Sequence, residues 1–585
     1  MNYNWDIRQL TVEEQTLQQQ LEKELNISSA AARMLVVRGI KTANEARQFI
    51  RPSWEMLHDP FLMRDMEQAV ERLHQAITKR EKILIYGDYD VDGTTAVAVM
   101  YRFLSNIYPI ANSPQGDPLI DYYIPDRYTE GYGVSLQGID YAAEQGCTLI
   151  ITLDCGIKAV DKVAYAAHKG IDVIVCDHHT PGEALPKAVA VLNMKREDCP
   201  YPYKHLSGCG VGFKLAQAYT QRYLTDTAST ILLPLTQLLA MSIASDIVPL
   251  TEENRVLAHF GIKQLNTHPY AGIAAIMEVA SITPNKLTIN DLVYRIGPRI
   301  NASGRMKSGR AAVELLITDD LASARETAQQ INQNNTERRE CDLQTTTEAL
   351  ALLESEPNHQ TNRSTVVFAP HWHKGVVGIV ASRLIEAYYR PTIVLTAGEN
   401  GIISGSARSV DEFDIYSAIE SCSDLLTNFG GHMYAAGLAM RQENLPEFRR
   451  RFETYVAQHI REDQLQPTLH IEAELQLSDI DARFYNVLRY LEPFGPGNPR
   501  PLFVSRNLIN HRDTRAVGKN HEHLRLDVTD RVAAITGIAF GRADMANHMQ
   551  NGLPVDLCYE LEENTFNHRT TLQIMVQDIK LCSTN

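Results

Sequence analysis

The chain has 585 residues, several times the usual domain size, so two to four domains are expected in place of a single core, and a small module is excluded. A hydrophobic fraction of 44% with 22% charged residues is that of folded soluble protein, and no apolar run approaches the length of a membrane span. The formal net charge of -15 argues against a uniformly basic nucleic-acid-binding surface but leaves room for a local basic groove.

The amino terminus, MNYNWDIRQLTVEEQ, has neither a basic start nor an apolar stretch before a small-residue cleavage site. No secretory signal is read, and the cytoplasm is the expected compartment. Residues 1–80 read as a helical lead-in, because EEQTLQQQLEKEL and MEQAVERLHQAITKR carry apolar residues at three-to-four spacing. Over 81–308, short apolar runs (ILIY, LIITL, VIVC) alternate with helical stretches, the pattern of parallel strands with crossover helices. Residues 309–360 are helical and polar and suit a long connecting helix. A second, smaller α/β pattern occupies 361–462, where STVVFA, PTIVLTA and GIISGSARS read as strands. From 463 to 585, alternating runs such as LRLDVTD and VAAITGIAF between Gly, Pro and Asn turns predict a β-rich module of barrel type. Nine scattered cysteines without a CxxC pair argue against disulfide scaffolding and structural zinc, and read as buried thiols.

The chemistry gathers at strand ends. ILIYGDYDVDG supplies Asp88, Asp90 and Asp92; LIITLDCG supplies Asp154; VIVCDHH supplies Asp177, His178 and His179; and LLAMSIASDIVPL ends in Asp246. In an open parallel sheet, ligands bind in the crevice outside the carboxyl ends of the strands, so residues spanning more than 150 positions would converge. Singly, each Asp reads as a helix cap or turn residue. Together they form a cluster of like charge that is costly unless cations neutralise it. The DxDxDG start resembles half of a calcium-binding EF-hand loop, but the twelfth position is Val99 instead of the bidentate Glu, which excludes that reading. Carboxylates mixed with imidazole suit Mn²⁺ or Mg²⁺, and a pair of such ions points to phosphoester hydrolysis. GCGVG (208–212) lacks nucleotide-binding spacing, and no GxxxxGK[ST] is present, so no nucleotide cofactor is implied.

The segments GDYDVDGTT, TLDCG, DHH (177–179) and SDIVPL resemble the four ordered motifs of the DHH phosphoesterase superfamily. RIGPRINASGRM (295–306), SGSARS (404–409), FGGHMYAAGL (429–438) and EPFGPGNPRPLF (492–503) resemble the RecJ-type single-strand DNA exonucleases. The resemblance implies a parallel-sheet DHH domain and a smaller α/β DHH-associated domain, joined by a long helix and enclosing a narrow groove, with an OB-fold-like module at the end. It also implies a two-metal, 5′-to-3′ exonuclease of DNA repair and recombination that cooperates with a single-strand-binding protein and a helicase.

By the same resemblance, Asp90 and Asp92 bind different metals, Asp154 bridges them, His178 and Asp246 complete the second site, and Asp88 contributes to the first. His179 sits beside the scissile phosphate, and Asp177 orients an imidazole. Some branches carry a His where this chain has Tyr86, which leaves the first site weaker or completed in some other way.

For the nucleic acid, Arg299, Asn301 and Arg305 are read in a Gly- and Ser-containing loop, where a guanidinium can grip phosphate. Ser404, Ser406, Arg408, Gly430, Gly431 and His432 resemble the substrate-binding motifs of the DHH-associated domain. Phe494, Phe503 and Arg500 are candidate contacts of the terminal module, against a bland reading of the aromatics as core. His371 and His373 form an HxH read as structural or substrate-contacting. Two alternatives stay open: a DHH phosphodiesterase acting on short oligonucleotides or cyclic dinucleotides, and an inactive DHH scaffold in a nucleic-acid complex.

Overall fold

The computed structural model describes residues 3–108, 118–127, 129–224, 228–306, 309–566 and 569–582. The chain divides into two compact units, one comprising Pro52–Gln344 with Pro493–Asn498, the other comprising the chain up to Arg51, Thr345–Glu492 and the chain from Pro499.

The first unit is built on a five-stranded sheet in the order Ile120–Tyr123, Ile83–Gly87, Leu149–Leu153, Asp172–Cys176, Ala190–Leu192, with every neighbouring pair parallel. Successive side chains leave a strand on opposite faces. Accordingly Ile83, Ile85, Ile151 and Ile174 enter one apolar core, while Leu84, Tyr86, Ile150 and Val173 enter another. Because both faces are covered, these strands read as continuous apolar runs without polar alternation. In chain order the strands lie 2-1-3-4-5, which places the topological switch between Ile83–Gly87 and Leu149–Leu153. A crevice opens at such a switch, outside the carboxyl ends of the strands.

Two expectations change here. Residues 1–80, read as one helical lead-in, begin with a strand and are divided between the units. The strand Asn4–Ile7 pairs in parallel with Thr468–Ile471, a partner too distant in sequence for any local signal to announce. The RIGPRINASGRM stretch, read as a loop, is a π-helical turn at Leu292–Ile296 followed by the α-helix Gly297–Met306. Its Pro298 follows the π-helical turn directly, inside a helical run that is continuous from Ile289 to Met306, and donates no backbone hydrogen bond there. Its glycines serve close packing: a Cβ on Gly304 would meet the Tyr89 carbonyl oxygen at 2.5 Å. The polar connecting segment is the helix Leu321–Ser355, about 52 Å long at 1.5 Å per residue.

In the second unit, a five-stranded sheet runs in the order Leu426–His432, Ala435–Arg441, Ile402–Arg408, Thr392–Ala397, Thr365–Phe368, around a core that includes Ile393, Leu395, Phe448 and Phe452. The terminal module is a sheet whose strand Phe503–Asn510 pairs with Val555–Phe566 on one side and with His523–Thr529 on the other. That second pairing closes Phe503–Asn510, Val555–Phe566, Arg569–Leu581, Ala534–Ala539 and His523–Thr529 into a barrel. Closure removes the exposed edges of an open sheet.

Candidate metal centre

Asp88 follows the strand Ile83–Gly87 directly, Asp90 is the N-cap of the helix Val91–Ile107, and Asp92 lies in that helix's first turn. Asp90 accepts from Gly93 N at 3.0 Å, so it is a cap as well as a member of the cluster. Asp92 is fixed by three donors: Gly208 N (2.7 Å), Cys209 N (2.8 Å) and Ser242 Oγ (2.7 Å). The first two are first-turn amides of the helix Gly208–Tyr223, where unpaired N–H groups favour an anion. Asp154 follows the strand Leu149–Leu153 in a left-handed conformation, φ 58°. His178 and His179 follow Asp172–Cys176, and Asp246 follows the helix Ala228–Ser245.

The switch-point crevice therefore brings Asp88, Asp90, Asp92, Asp154, His178, His179 and Asp246 together. Three groups present ligand atoms within 4.8 Å of one another: Asp88, Asp90 and Asp154; Asp92, His178 and Asp246; and Asp154, His178 and His179. His178 Nε2 lies 3.3 Å from Asp154 Oδ1, 3.6 Å from Asp246 Oδ2 and 3.8 Å from Asp92 Oδ2. Its Nδ1 lies 3.2 Å from the Leu206 carbonyl, which can only accept, so Nδ1 carries the proton and Nε2 offers its lone pair to the cluster. Burial holds the His178 pKa below its ordinary value, which favours this neutral form.

The electrostatics are those of a cation site. Asp88 Oδ1, Asp154 Oδ1 and Asp246 Oδ2 are buried with no hydrogen-bond partner among the described residues. Burial, reinforced by the neighbouring carboxylates, pushes Asp88, Asp154 and Asp246 well above the usual carboxylate range, and Asp90 is raised by the same causes. Orphaned buried oxygens on mutually repelling carboxylates are costly without a compensating charge. Hard oxygen donors with one or two imidazoles fit Mn²⁺ or Mg²⁺.

Asp177 behaves differently. Burial would raise its pKa, but the hydrogen bond to His179 Nδ1 (2.8 Å) and the amides of His179 (3.0 Å) and Ile157 (2.9 Å) outweigh it and keep the carboxylate ionised. In turn, burial would lower His179, but the hydrogen bond and charge of Asp177 outweigh it and raise its pKa, which favours the protonated ring.

The other candidates fall elsewhere. Asn301 accepts from Val91 N (3.2 Å), and Arg299 donates to Asn332 Oδ1 (2.9 Å) and the Arg295 carbonyl (2.6 Å), so this helix braces the Asp88–Asp92 segment. Arg305, on the same helix, acts electrostatically on the Tyr89 phenol. Ser404, Ser406 and Arg408 lie on one strand of the second unit; Gly431 and His432 lie two strands away on the edge strand of that sheet. Arg408 donates to Ser406 Oγ (2.6 Å) and the Ala407 carbonyl (2.8 Å). Burial alone lowers its pKa, and no carboxylate pairs with it among the described residues. Phe494 and Phe503 are buried, and Arg500 lies 3.5 Å from Glu560, so the core reading of the aromatics is the one realised. His371 bonds Glu348 (2.8 Å), His373 Nδ1 accepts from Gly375 N (3.0 Å), and neither joins a ligand group among the described residues.

Gly208 and Ser242 escaped the sequence reading. Gly208 must be glycine because a Cβ there would meet Asp154 Cβ at 2.5 Å. The available signal was Ser207 ahead of GCGVG, a helix start that aims amides at an anion, here a carboxylate in place of a nucleotide phosphate.

Comparison with known proteins agrees with this architecture. Residues 82–243 match the family model of the DHH family, N-terminal domain; residues 362–458 match the DHHA1 domain; and residues 471–578 match the RecJ OB domain. The chain is 35% identical over 559 residues to the single-stranded-DNA-specific exonuclease RecJ of Bacillus subtilis, covering 95% of this chain and 69% of that protein. It is similar to the crystal structure of RecJ from Thermus thermophilus in complex with Mn²⁺, with a TM-score of 0.83 at 26% identity, covering 100% of this chain and 80% of that one. The same protein's complex with Mg²⁺ matches with a TM-score of 0.77 at 25% identity, covering 100% and 79%. The DHH sheet with its carboxylate cluster, the DHHA1 domain and the closed terminal barrel occur here in one chain, which belongs to the RecJ family.

Proposed function

We propose that this protein is a divalent-metal-dependent exonuclease that degrades single-stranded DNA from the 5′ end. The observation that carries the reading is the switch-point cluster, in which three buried carboxylate oxygens lack hydrogen-bond partners among the described residues while His178 offers a neutral Nε2. Asp88, Asp90 and Asp154 would hold one Mn²⁺ or Mg²⁺; Asp92, His178 and Asp246 would hold a second, with Asp154 shared. When bound, such a pair supplies an activated water and charge neutralisation for in-line displacement at phosphorus.

The remaining work falls to the chain itself. Asp177 favours the protonated form of His179 and directs its ring, so the ring can bond a phosphate oxygen or, when protonated, give a proton to the departing 3′ oxygen. Ser242 and the Gly208 and Cys209 amides fix the Asp92 carboxylate before any ion arrives, an arrangement that orients a ligand at no cost during turnover. Arg408, a half-buried guanidinium with no carboxylate partner among the described residues, would take a phosphate of the strand together with Ser404, Gly431 and His432, while Arg299, Asn301 and Arg305 would support the nucleic acid from the brace helix. The closed barrel adds a second single-strand-binding surface. Cooperation with a single-strand-binding protein and a helicase, in repair and recombination in the cytoplasm, accords with this activity; among the described residues no helix is long and apolar enough to cross a membrane.

The test is digestion of 5′- and 3′-labelled single strands, duplex DNA and dinucleotides in Mn²⁺, Mg²⁺ or EDTA, with Asp154→Ala as control. Mononucleotide release from the 5′ end that requires metal and Asp154 is expected. Activity that survives EDTA or the substitution would sink the reading, as would a preference for dinucleotides over long strands.

A further inference from the structure

Tyr132 belongs to none of the ligand groups, yet its hydroxyl sits where two of them meet. It donates to the Asp154 carbonyl oxygen at 3.3 Å, and it lies 3.1 Å from Nε2 and 3.3 Å from Nδ1 of His179, the two rings meeting edge-on. Asp154 and His179 follow different strands, so this one hydroxyl ties the carboxyl ends of Leu149–Leu153 and Asp172–Cys176 together. The contact falls on a strained point, because a non-glycine residue at φ 58° costs about 1–3 kcal/mol and persists only where its surroundings enforce it. Both backbone polar groups of Asp154 are held: its amide donates to the Cys176 carbonyl at 2.9 Å, and its carbonyl receives Tyr132. Tyr132 is 57% exposed, so core packing does not account for its place.

What holds Tyr132 is Tyr86. The Tyr86 side chain is fully buried; its hydroxyl donates to the Gly133 carbonyl at 3.0 Å and accepts from Ser135 N at 3.1 Å. Ser135 in turn caps the helix Leu136–Glu144 and donates to Glu130 at 2.6 Å. Gly131 and Gly133, at φ 86° and 81°, flank Tyr132 and allow the short segment between Glu130 and Ser135 to project it. At the position where some relatives carry a His, this chain therefore has a residue whose polar atom is committed to the backbone of a loop.

We propose that Tyr132 is a positioning residue, which sets the Asp154 carboxylate and the His179 ring relative to one another, and that Tyr86 serves as the anchor of its loop and not as a ligand. The inference rests on the reading above that Asp154 binds metal and His179 faces the scissile phosphate. An ordinary phenol stays protonated throughout the working pH range, so the hydroxyl is a constant donor. Groups that orient metal ligands typically contribute about 10–100-fold to metal affinity or activity.

Tyr132→Phe removes the hydroxyl and keeps the ring. We expect kcat on a 5′-labelled single strand to fall about 10–100-fold with KM little changed, and Mn²⁺ affinity, read without substrate by electron paramagnetic resonance of the free ion, to fall in the same range. The melting temperature in EDTA should match that of the wild type, and Tyr86→Phe should shift kcat and Mn²⁺ affinity in the same direction by less. Wild-type kcat and Mn²⁺ affinity in Tyr132→Phe would overturn the proposal. So would a raised KM with kcat intact, which would make Tyr132 a strand contact, or a lowered melting temperature in EDTA, which would make its role structural. A wild-type protein that shows no metal-dependent hydrolysis would instead defeat the proposed function, and the Mn²⁺ titration would still score Tyr132.

Discussion

Gly208→Ala tests whether the cluster's geometry is set before metal arrives. The new Cβ would stand 2.5 Å from Asp154 Cβ, 2.6 Å from Asp154 Oδ1 and 2.8 Å from Asp154 Cα. Contacts of this kind become ordinary only at 3.4 Å, so either the Asp154 backbone or the helix start at Gly208 must retreat by about 0.9 Å. Neither can move freely. Asp154 is already in a left-handed conformation, and the amides of Gly208 and Cys209 hold Asp92. Overpacking of this order costs about 1–3 kcal/mol of stability, while a misplacement near 1 Å in a reacting constellation costs about 10²-fold in rate. The expected result is a folded protein, melting several degrees lower, whose kcat on single-stranded DNA falls about 10²-fold and which needs more Mn²⁺ to reach half its maximal rate. The assay is release of labelled mononucleotide across a Mn²⁺ series, with a melting curve in EDTA alongside. A variant with wild-type kcat and an unchanged Mn²⁺ requirement would refute the claim that Gly208 is needed for the close approach to Asp154.

The acidic cluster also predicts an unusual pH dependence without metal. Asp88, Asp154 and Asp246 have folded pKa values well above their unfolded value, so their contribution is fully present below about pH 4 and is lost as pH rises through the folded values. In EDTA the melting temperature should therefore fall as pH rises from mildly acid to neutral, and saturating Mn²⁺ should abolish that fall; identical slopes with and without Mn²⁺ would contradict it. Arg408→Lys keeps the charge and loses the planar fork, so KM for single strands should rise about tenfold with kcat nearly intact; unchanged KM would remove Arg408 from the substrate site. Lys214 and Glu253 form a fully buried ion pair, with Tyr201 also donating to Glu253 at 2.6 Å. Lys214→Met, which strands a buried carboxylate, should cost about 3–5 kcal/mol in urea unfolding, and adding Glu253→Leu should recover part of that loss; a double variant no more stable than the single would show that the stranded charge is not the cause.

The catalytic unit was legible because its strands are buried on both faces. Continuous runs such as ILIYG and LIITL stand out of a sequence, and the residue that ends each run is by construction at the carboxyl edge of the sheet. What the runs do not carry is anything decided by non-local approach. The strand Asn4–Ile7 has four residues and a partner more than 460 positions away, so no window on either segment contains the pairing. Gly, Pro and Ser in RIGPRINASGRM are loop signals locally, yet Gly304 is there because the Tyr89 carbonyl lies against the helix. Tyr132 is hidden for the same reason, since its importance lies in the φ of Asp154, and no residue type marks a left-handed aspartate in advance.

The Asp residues also show why cap and ligand are poor alternatives. Asp90 caps its helix through Gly93 N and still presents an oxygen to Asp88 and Asp154, while Asp92 receives two amides of another helix and still faces His178. A carboxylate has about four lone-pair sites, and a helix amide uses one. Capping therefore leaves most of the Asp90 carboxylate's coordinating capacity intact, whereas Asp92, which also accepts from Ser242, keeps about one site and is the more firmly fixed in direction. A strand-end Asp that caps the following helix is in this sense better prepared to bind a cation than one left free, and the same aspartates that look ordinary one at a time become a candidate metal centre once the sheet sets them side by side.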